Sequence, residues 1–140
     1  MPRVSAVSLR DRKKAGEKIA VLTAYDFPTA KLIDQSGVDV VLVGDSLGMV
    51  VMGRENTLSV TMDEMVYHTR IVSSAVEHAL VVGDMPFLSY QISPQEAVRN
   101  AGRLIAEGGA QAVKLEGPAQ RFGNTIQAIL DASIPVMGHI

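Results

Sequence analysis

The sequence predicts an α/β protein built on a parallel sheet. Five short runs rich in β-branched residues recur along its 140 residues, at 19–24, 38–43, 79–83, 112–115 and 134–137. They are continuously apolar rather than alternating, the pattern of strands buried on both faces. Segments with helical periodicity separate them, so the order reads βαβαβαβαβ, with right-handed crossovers joining parallel neighbours.

Each element has its own local cause. Arg10, Arg12, Lys13 and Lys14, interrupted by Asp11, are expected on the solvated face of a short N-terminal helix. After the first strand, Asp26 and Pro28 open a helix that stops at Gly37. Proline pre-sets φ for a first turn, and Asp26 is placed to cap it by accepting a free N–H. Beyond the second strand, Met62, Met65, Val66, Thr69, Val72 and Val76 recur at three- and four-residue steps, which puts them on one helix face. Thr61 and Glu64 form a T-x-x-E capping box at its start. After the third strand, Ser93 is the N-cap of a helix with Pro94 first and Glu96 completing the box. Its buried stripe is Ala97, Val98, Ala101, Leu104 and Ile105, and Gly108-Gly109 ends it. A last helix carrying Ile126, Ile129 and Leu130 runs up to Ser133, before the fifth strand.

Composition narrows the function. With 13 basic and 15 acidic side chains the net charge is -2, and 47% hydrophobic with 20% charged residues is ordinary for a globular domain. A single domain over residues 1–140 is expected. Zero cysteines exclude a disulfide scaffold, thiolate zinc sites and thiol catalysis. Near-neutral charge with three Tyr, three Phe and no Trp offers no basic stacking surface for nucleic acid. No run approaches the ~18 apolar residues of a membrane helix, and the stretch from Met1 to Leu9 is too short and serine-broken for a signal peptide. A cytoplasmic protein handling a small molecule is the expectation. Two architectures satisfy the element order: an open flavodoxin-like sheet, which length favours, and part of a (β/α)8 barrel, which the uncovered fifth strand favours.

In both architectures ligands bind at the C-terminal ends of the strands. Those ends read Tyr25-Asp26, Gly44-Asp45-Ser46, Gly83-Asp84, Lys114-Leu115-Glu116 and Gly138-His139. Converging carboxylates repel unless a cation sits among them, and oxygen-only donors point to Mg²⁺. The competing explanation for each acid is a helix N-cap, which suits Asp26; Asp45 and Asp84 do not lead at once into a regular helix. Lys114 and Glu116 are two apart on one strand and share a face, either as a structural ion pair or with Glu116 toward a metal and Lys114 toward an anionic substrate. His139 is a hydrogen-bond donor, a base or satisfied structure, while His68 and His78 receive no role. The glycine-containing pieces match neither G-x-G-x-x-G nor a P-loop, so no nucleotide site is indicated. Residues 47–60 are long for a βα loop and form either a lid hinged at Gly48 and Gly53 or a hairpin-like decoration turning at Gly53.

Several strings, most of them at these strand ends, carry a family resemblance. Thr23-Ala24-Tyr25-Asp26, Val43-Gly44-Asp45-Ser46-Leu47-Gly48-Met49, Thr57-Leu58-Ser59-Val60-Thr61, Tyr67-His68-Thr69, Gly83-Asp84-Met85-Pro86-Phe87, Val113-Lys114-Leu115-Glu116-Gly117 and Pro135-Val136-Met137-Gly138-His139 resemble the ketopantoate hydroxymethyltransferase family. The resemblance implies a parallel (β/α)8 TIM barrel of the phosphoenolpyruvate mutase/isocitrate lyase type, truncated here after the fifth strand. It implies Asp45, Asp84 and Glu116 as the magnesium positions, the first two as direct ligands. It places Asp45, Ser46, Asp84 and Lys114 against a 2-oxo acid and His139 near it. The co-substrate it implies is 5,10-methylenetetrahydrofolate, the product 2-dehydropantoate in pantothenate synthesis, and the assembly a homo-oligomer. The family's general-base glutamate is expected beyond Ile140. The alternatives are a C–C lyase of the same superfamily, a catalytically incomplete fragment, and a receiver-like Mg²⁺-binding module. The last would carry its lysine after the fifth strand, whereas Lys114 lies on the fourth.

Overall fold

The computed structural model describes residues 3–140. Its elements run α1 (Ala6–Lys14), β1 (Val21–Thr23), α2 (Phe27–Gln35), β2 (Val40–Val43), α3 (Leu47–Val50), α4 (Met62–Ala75), β3 (Leu80–Asp84), α5 (Pro94–Ala106), β4 (Ala112–Glu116), α6 (Ala119–Asp131) and β5 (Val136–His139). The caps form where local chemistry placed them. Asp26 accepts the Thr29 N–H at 2.9 Å, and Thr61 and Glu64 bond reciprocally. At α5 only one side of the expected box forms, with Ser93 Oγ accepting the Glu96 N–H at 3.1 Å.

Strand order decides between the two architectures. The sheet runs β1-β2-β3-β4-β5 with every neighbouring pair parallel. A doubly wound open sheet reverses its order at a switch point and carries crossover helices on both faces; this sheet keeps one order throughout and packs its crossover helices on a single face. Val41, Val43, Val81, Val113 and Leu115 pack on one face against Ala30, Met65, Val72, Leu104 and Ile129 of the crossover helices. Val40, Leu80, Val82 and Ala112 lie on the other face, where Leu42, Met137 and, from the N-terminal segment, Val4 and Leu9 meet them. Both sides of the central strands are therefore covered, which is why they read as unbroken apolar runs. Three strands reach further than their apolar runs: β3 includes Asp84, β4 includes Glu116 and β5 includes His139. The polar residues at their ends thus hold regular strand geometry.

Two expectations need correction. The basic run is not wholly a solvated face: Arg12 pairs with Asp39 and Glu17 and donates to the Lys18 carbonyl at 3.0 Å. Asp39 also accepts the Ala20 N–H at 2.8 Å, so this ion pair ties α1 to the entry of the sheet. Residues 47–60 form no hairpin. They start as the four-residue α3, turn through Gly53 at φ 67, and are fastened by Arg54, which pairs with Glu64 and donates to the Ser59 carbonyl at 3.1 Å. Val60 is buried against Gly48, where an added Cβ would come within 2.5 Å of its Cγ2.

Candidate active site

The ends of β2, β3 and β4 surround a cavity of about 140 Å³ whose wall includes Asp45, Asp84, Tyr90 and Glu116. Its floor is set by strand register. Asp84 is the last residue of β3 and lies opposite Lys114 of β4, so the two side chains emerge side by side on one face. Lys114 Nζ donates to Asp84 Oδ1 at 2.9 Å, and the Asp45 backbone N–H donates to Asp84 Oδ2 at 3.2 Å. Both partners are shielded, with side chains 13% and 7% exposed. Burial pushes the Asp84 carboxyl above its usual range; Lys114 opposes that shift and the nearby Asp45 charge adds to it.

Lys114 is therefore half of an ion pair, and its partner is Asp84 on the next strand rather than Glu116 on its own. Glu116 stands at the cavity's rim with its side chain 67% exposed and its Oε2 3.4 Å from His139 Nδ1. That contact follows from the β4–β5 register, which sets Glu116 beside His139. Ser46 is not on the cavity wall: its hydroxyl lies 2.7 Å from the Tyr25 hydroxyl. His68, given no role from sequence, donates from Nδ1 to the Tyr25 carbonyl at 2.8 Å and so fixes the exit of β1. Asp26 is spent as the α2 cap, bonding the Thr29 N–H and hydroxyl. Asp45 is different, because α3 begins without a side-chain cap bond and leaves its carboxylate on the cavity wall. Thr57 and Leu58 of the 47–60 segment also line the cavity, at its outer side.

Among the described residues no three acidic or histidine side chains are gathered tightly enough to hold a metal ion alone. The donor set nevertheless suits one kind of ion. Mg²⁺ takes one or two protein carboxylates and completes its shell with water and substrate oxygens. Asp45 and Asp84 offer that pair of oxygen donors, and the strain of two neighbouring carboxylates, one of them buried, is what a cation would relieve.

The family model for ketopantoate hydroxymethyltransferase matches residues 3–140. The chain belongs to that family. A 3-methyl-2-oxobutanoate hydroxymethyltransferase of Syntrophomonas wolfei is 60% identical to it over 140 residues, which is 100% of this chain and 50% of the relative. The enzyme of the same name from Thermoanaerobacter sp. strain X514 is 59% identical over 138 residues, again across 50% of its own length. This family member thus spans about half the length of the curated relatives it matches. Solved structures share its fold at low identity. Phosphonopyruvate hydrolase superposes with a TM-score of 0.78 at 16% identity, across 96% of this chain and 51% of the other; its complex with oxalate and Mg²⁺ gives a TM-score of 0.76. A 2,3-dimethylmalate lyase of the PEP mutase/isocitrate lyase superfamily gives 0.72 at 19% identity, covering 96% and 52%. The five parallel strands and their crossover helices therefore share the β/α fold of those proteins over about half of their length.

Proposed function

We propose that this chain carries the 2-oxo-acid and metal-binding part of a hydroxymethyltransferase site. The reaction moves a hydroxymethyl group from 5,10-methylenetetrahydrofolate to 3-methyl-2-oxobutanoate, giving 2-dehydropantoate. The observation that carries this reading is the buried Asp84–Lys114 pair, whose Asp84 shares one cavity at the strand ends with Asp45. Family membership adds the substrate, and the fold neighbour in complex with oxalate and Mg²⁺ supports a divalent ion beside a small carboxylate ligand.

Asp45 and Asp84 would hold Mg²⁺ directly, with Glu116 at the rim as the third magnesium position. A divalent ion there acts as a Lewis acid on the 2-oxo acid, easing removal of the C3 proton. Lys114 supplies a fixed positive charge next to the substrate's oxygens, already desolvated and oriented by Asp84, so little reorganisation is needed as negative charge grows there. Ser46, now bonded to Tyr25, would have to turn to reach the acid, and His139, 3.4 Å from Glu116, would serve it as a hydrogen-bond donor. In this reading the base that takes the C3 proton is a residue outside the 140 described by this sequence. Folate use, homo-oligomeric assembly and a cytoplasmic location belong to the same proposal.

Calorimetric titration of 3-methyl-2-oxobutanoate into the protein tests it. Binding is expected only with Mg²⁺ present and is expected to vanish in Asp84→Ala. Equal binding without Mg²⁺, or unchanged binding in the variant, would sink the assignment. A superfamily C–C lyase would instead bind and cleave a dicarboxylate, which the same titration with dicarboxylates distinguishes.

A further inference from the structure

The loop between β3 and α5 brings Phe87 and Tyr90 to the cavity, and of these Tyr90 carries a polar group that the proposed chemistry does not use. Tyr90 is 6% exposed, and its hydroxyl both donates to the Glu116 carbonyl at 3.0 Å and accepts the Glu116 N–H at 3.3 Å. The register shows why that residue needs it. β3 pairs with β4 only as far as Asp84 opposite Lys114, and the Met85 N–H then takes the Lys114 carbonyl at 2.9 Å. Along a parallel strand, alternate residues direct their N–H and C=O to the same neighbour, so Glu116 turns both groups toward β3 after β3 has ended. Where β3 no longer supplies partners, a single phenol satisfies both groups.

The phenol is itself braced. Its ring meets Phe122 of α6 edge-on, with centroids 5.3 Å apart at 68°. Phe122 fills the space beside Gly117, where an added Cβ would lie 2.5 Å from the ring. Asn100 of α5 donates to the Ser89 carbonyl at 2.8 Å, which fixes the residue before Tyr90. Burial pushes the Tyr90 phenol above its usual value despite its backbone bonds, and the charges of Asp84, Glu116 and Asp45 push the same way, so it keeps its proton at neutral pH.

We infer that Tyr90 is a positioning residue: it stands in for the missing strand neighbour and holds the end of β4, keeping Glu116 at the cavity and Lys114 against Asp84. The placement follows from the hydrogen bonds; its use for ligand binding rests on the proposed function. Tyr90→Phe keeps the ring and its contact with Phe122 and deletes only the hydroxyl. Two readouts on the 140-residue protein test the inference, amide hydrogen exchange by NMR and calorimetric binding of 3-methyl-2-oxobutanoate with Mg²⁺. The Glu116 amide is expected to exchange about tenfold faster while Val113, mid-strand, is unchanged, the scale of one lost hydrogen bond. Binding is expected to weaken several-fold. Unchanged exchange at Glu116 overturns the inference. Faster exchange with unaltered affinity also overturns it, because Tyr90 would then serve stability alone. If the unaltered protein binds no 2-oxo acid, the proposed function fails, and the exchange readout still upholds or overturns the hold on β4.

Discussion

Replacing Asp34 by alanine is expected to lower stability sharply, although the residue lies on α2 and outside the cavity. Its side chain bonds three successive backbone N–H groups, those of Glu77 at 2.9 Å, His78 at 3.2 Å and Ala79 at 2.8 Å. These residues turn the chain from α4 into β3. Hydrogen bonds to an ionised acceptor are worth ~1.5–3 kcal/mol each, but their loss is uneven. Ala79 is fully buried, so its N–H would be orphaned at a cost of ~1–3 kcal/mol. Glu77 and His78 lie nearer the surface, where water replaces the carboxylate and the loss falls to about 0.5–1 kcal/mol each. The sum is ~2–5 kcal/mol, a large part of the ~5–15 kcal/mol that holds a domain folded. Urea unfolding followed by far-UV circular dichroism measures it as a fall in midpoint with unchanged slope. Asp34→Asn keeps one acceptor oxygen and should lose less.

The same carboxylate makes a pH signature. Burial, the largest influence, pushes Asp34 up, yet the three N–H groups together outweigh it and hold it below 3.8. Between the two values the unfolded chain binds a proton that the folded protein does not, so stability rises with pH there. The contribution is complete above 3.8 and is lost as pH falls through the lower folded value. Asp34→Asn should flatten that part of the acid limb. A change of less than ~1 kcal/mol in Asp34→Ala would refute the reasoning, since it would mean that water satisfies this turn as well as the carboxylate does.

Lys114→Met should strand Asp84 in a buried site and destabilise by up to ~3–5 kcal/mol, measured by thermal and urea unfolding. The double variant Lys114→Met with Asp84→Leu should regain much of that stability without regaining Mg²⁺-dependent binding. Gly117→Ala meets two obstacles, a φ of 130 and the Phe122 ring 2.5 Å from the new Cβ. A loss of ~1–3 kcal/mol in urea unfolding is expected, with faster exchange at the Glu116 amide. Glu64, bonded by Arg54, is held down to about 2 from 4.5, which an NMR pH titration of its carboxyl should show. Its contribution to stability is complete above 4.5 and fades toward 2, and Arg54→Met should return the titration toward 4.5.

Much of the fold was legible because its causes are local. Asp26 before Pro28, Thr61 before Glu64 and Ser93 before Pro94 each cap a helix that forms there, since a cap needs only the next few residues. The five apolar runs marked the strands, and in the central β2, β3 and β4 the cause is that both faces of the sheet are covered. The resemblance to one family rested on strings mostly at strand ends, and the match over residues 3–140 agrees with it. The spacing of βα units also brought Asp45, Asp84 and Glu116 to one cavity, as rim positions require.

Partners far apart in the chain were not legible. Asp34 is the last residue but one of an ordinary helical stretch, and its three N–H donors lie 43 to 45 residues later. Arg12 reads as one charge in a basic run until folding sets it beside Asp39, 27 residues on. Lys114 shares a strand face with Glu116, but register places Asp84 closer, and a buried ammonium pairs with the carboxylate that burial brings to it. Tyr90 shows no motif at all, because its role exists only where β3 pairing stops at Lys114, two residues short of Glu116. Sequence by itself determined the elements, the parallel order of units and the end of the sheet where chemistry collects, for these depend on local propensity and on the hydrophobic period. Tertiary structure alone decided which charge meets which and what closes the open end of β4, because those depend on register and on distances that no spacing along the chain encodes.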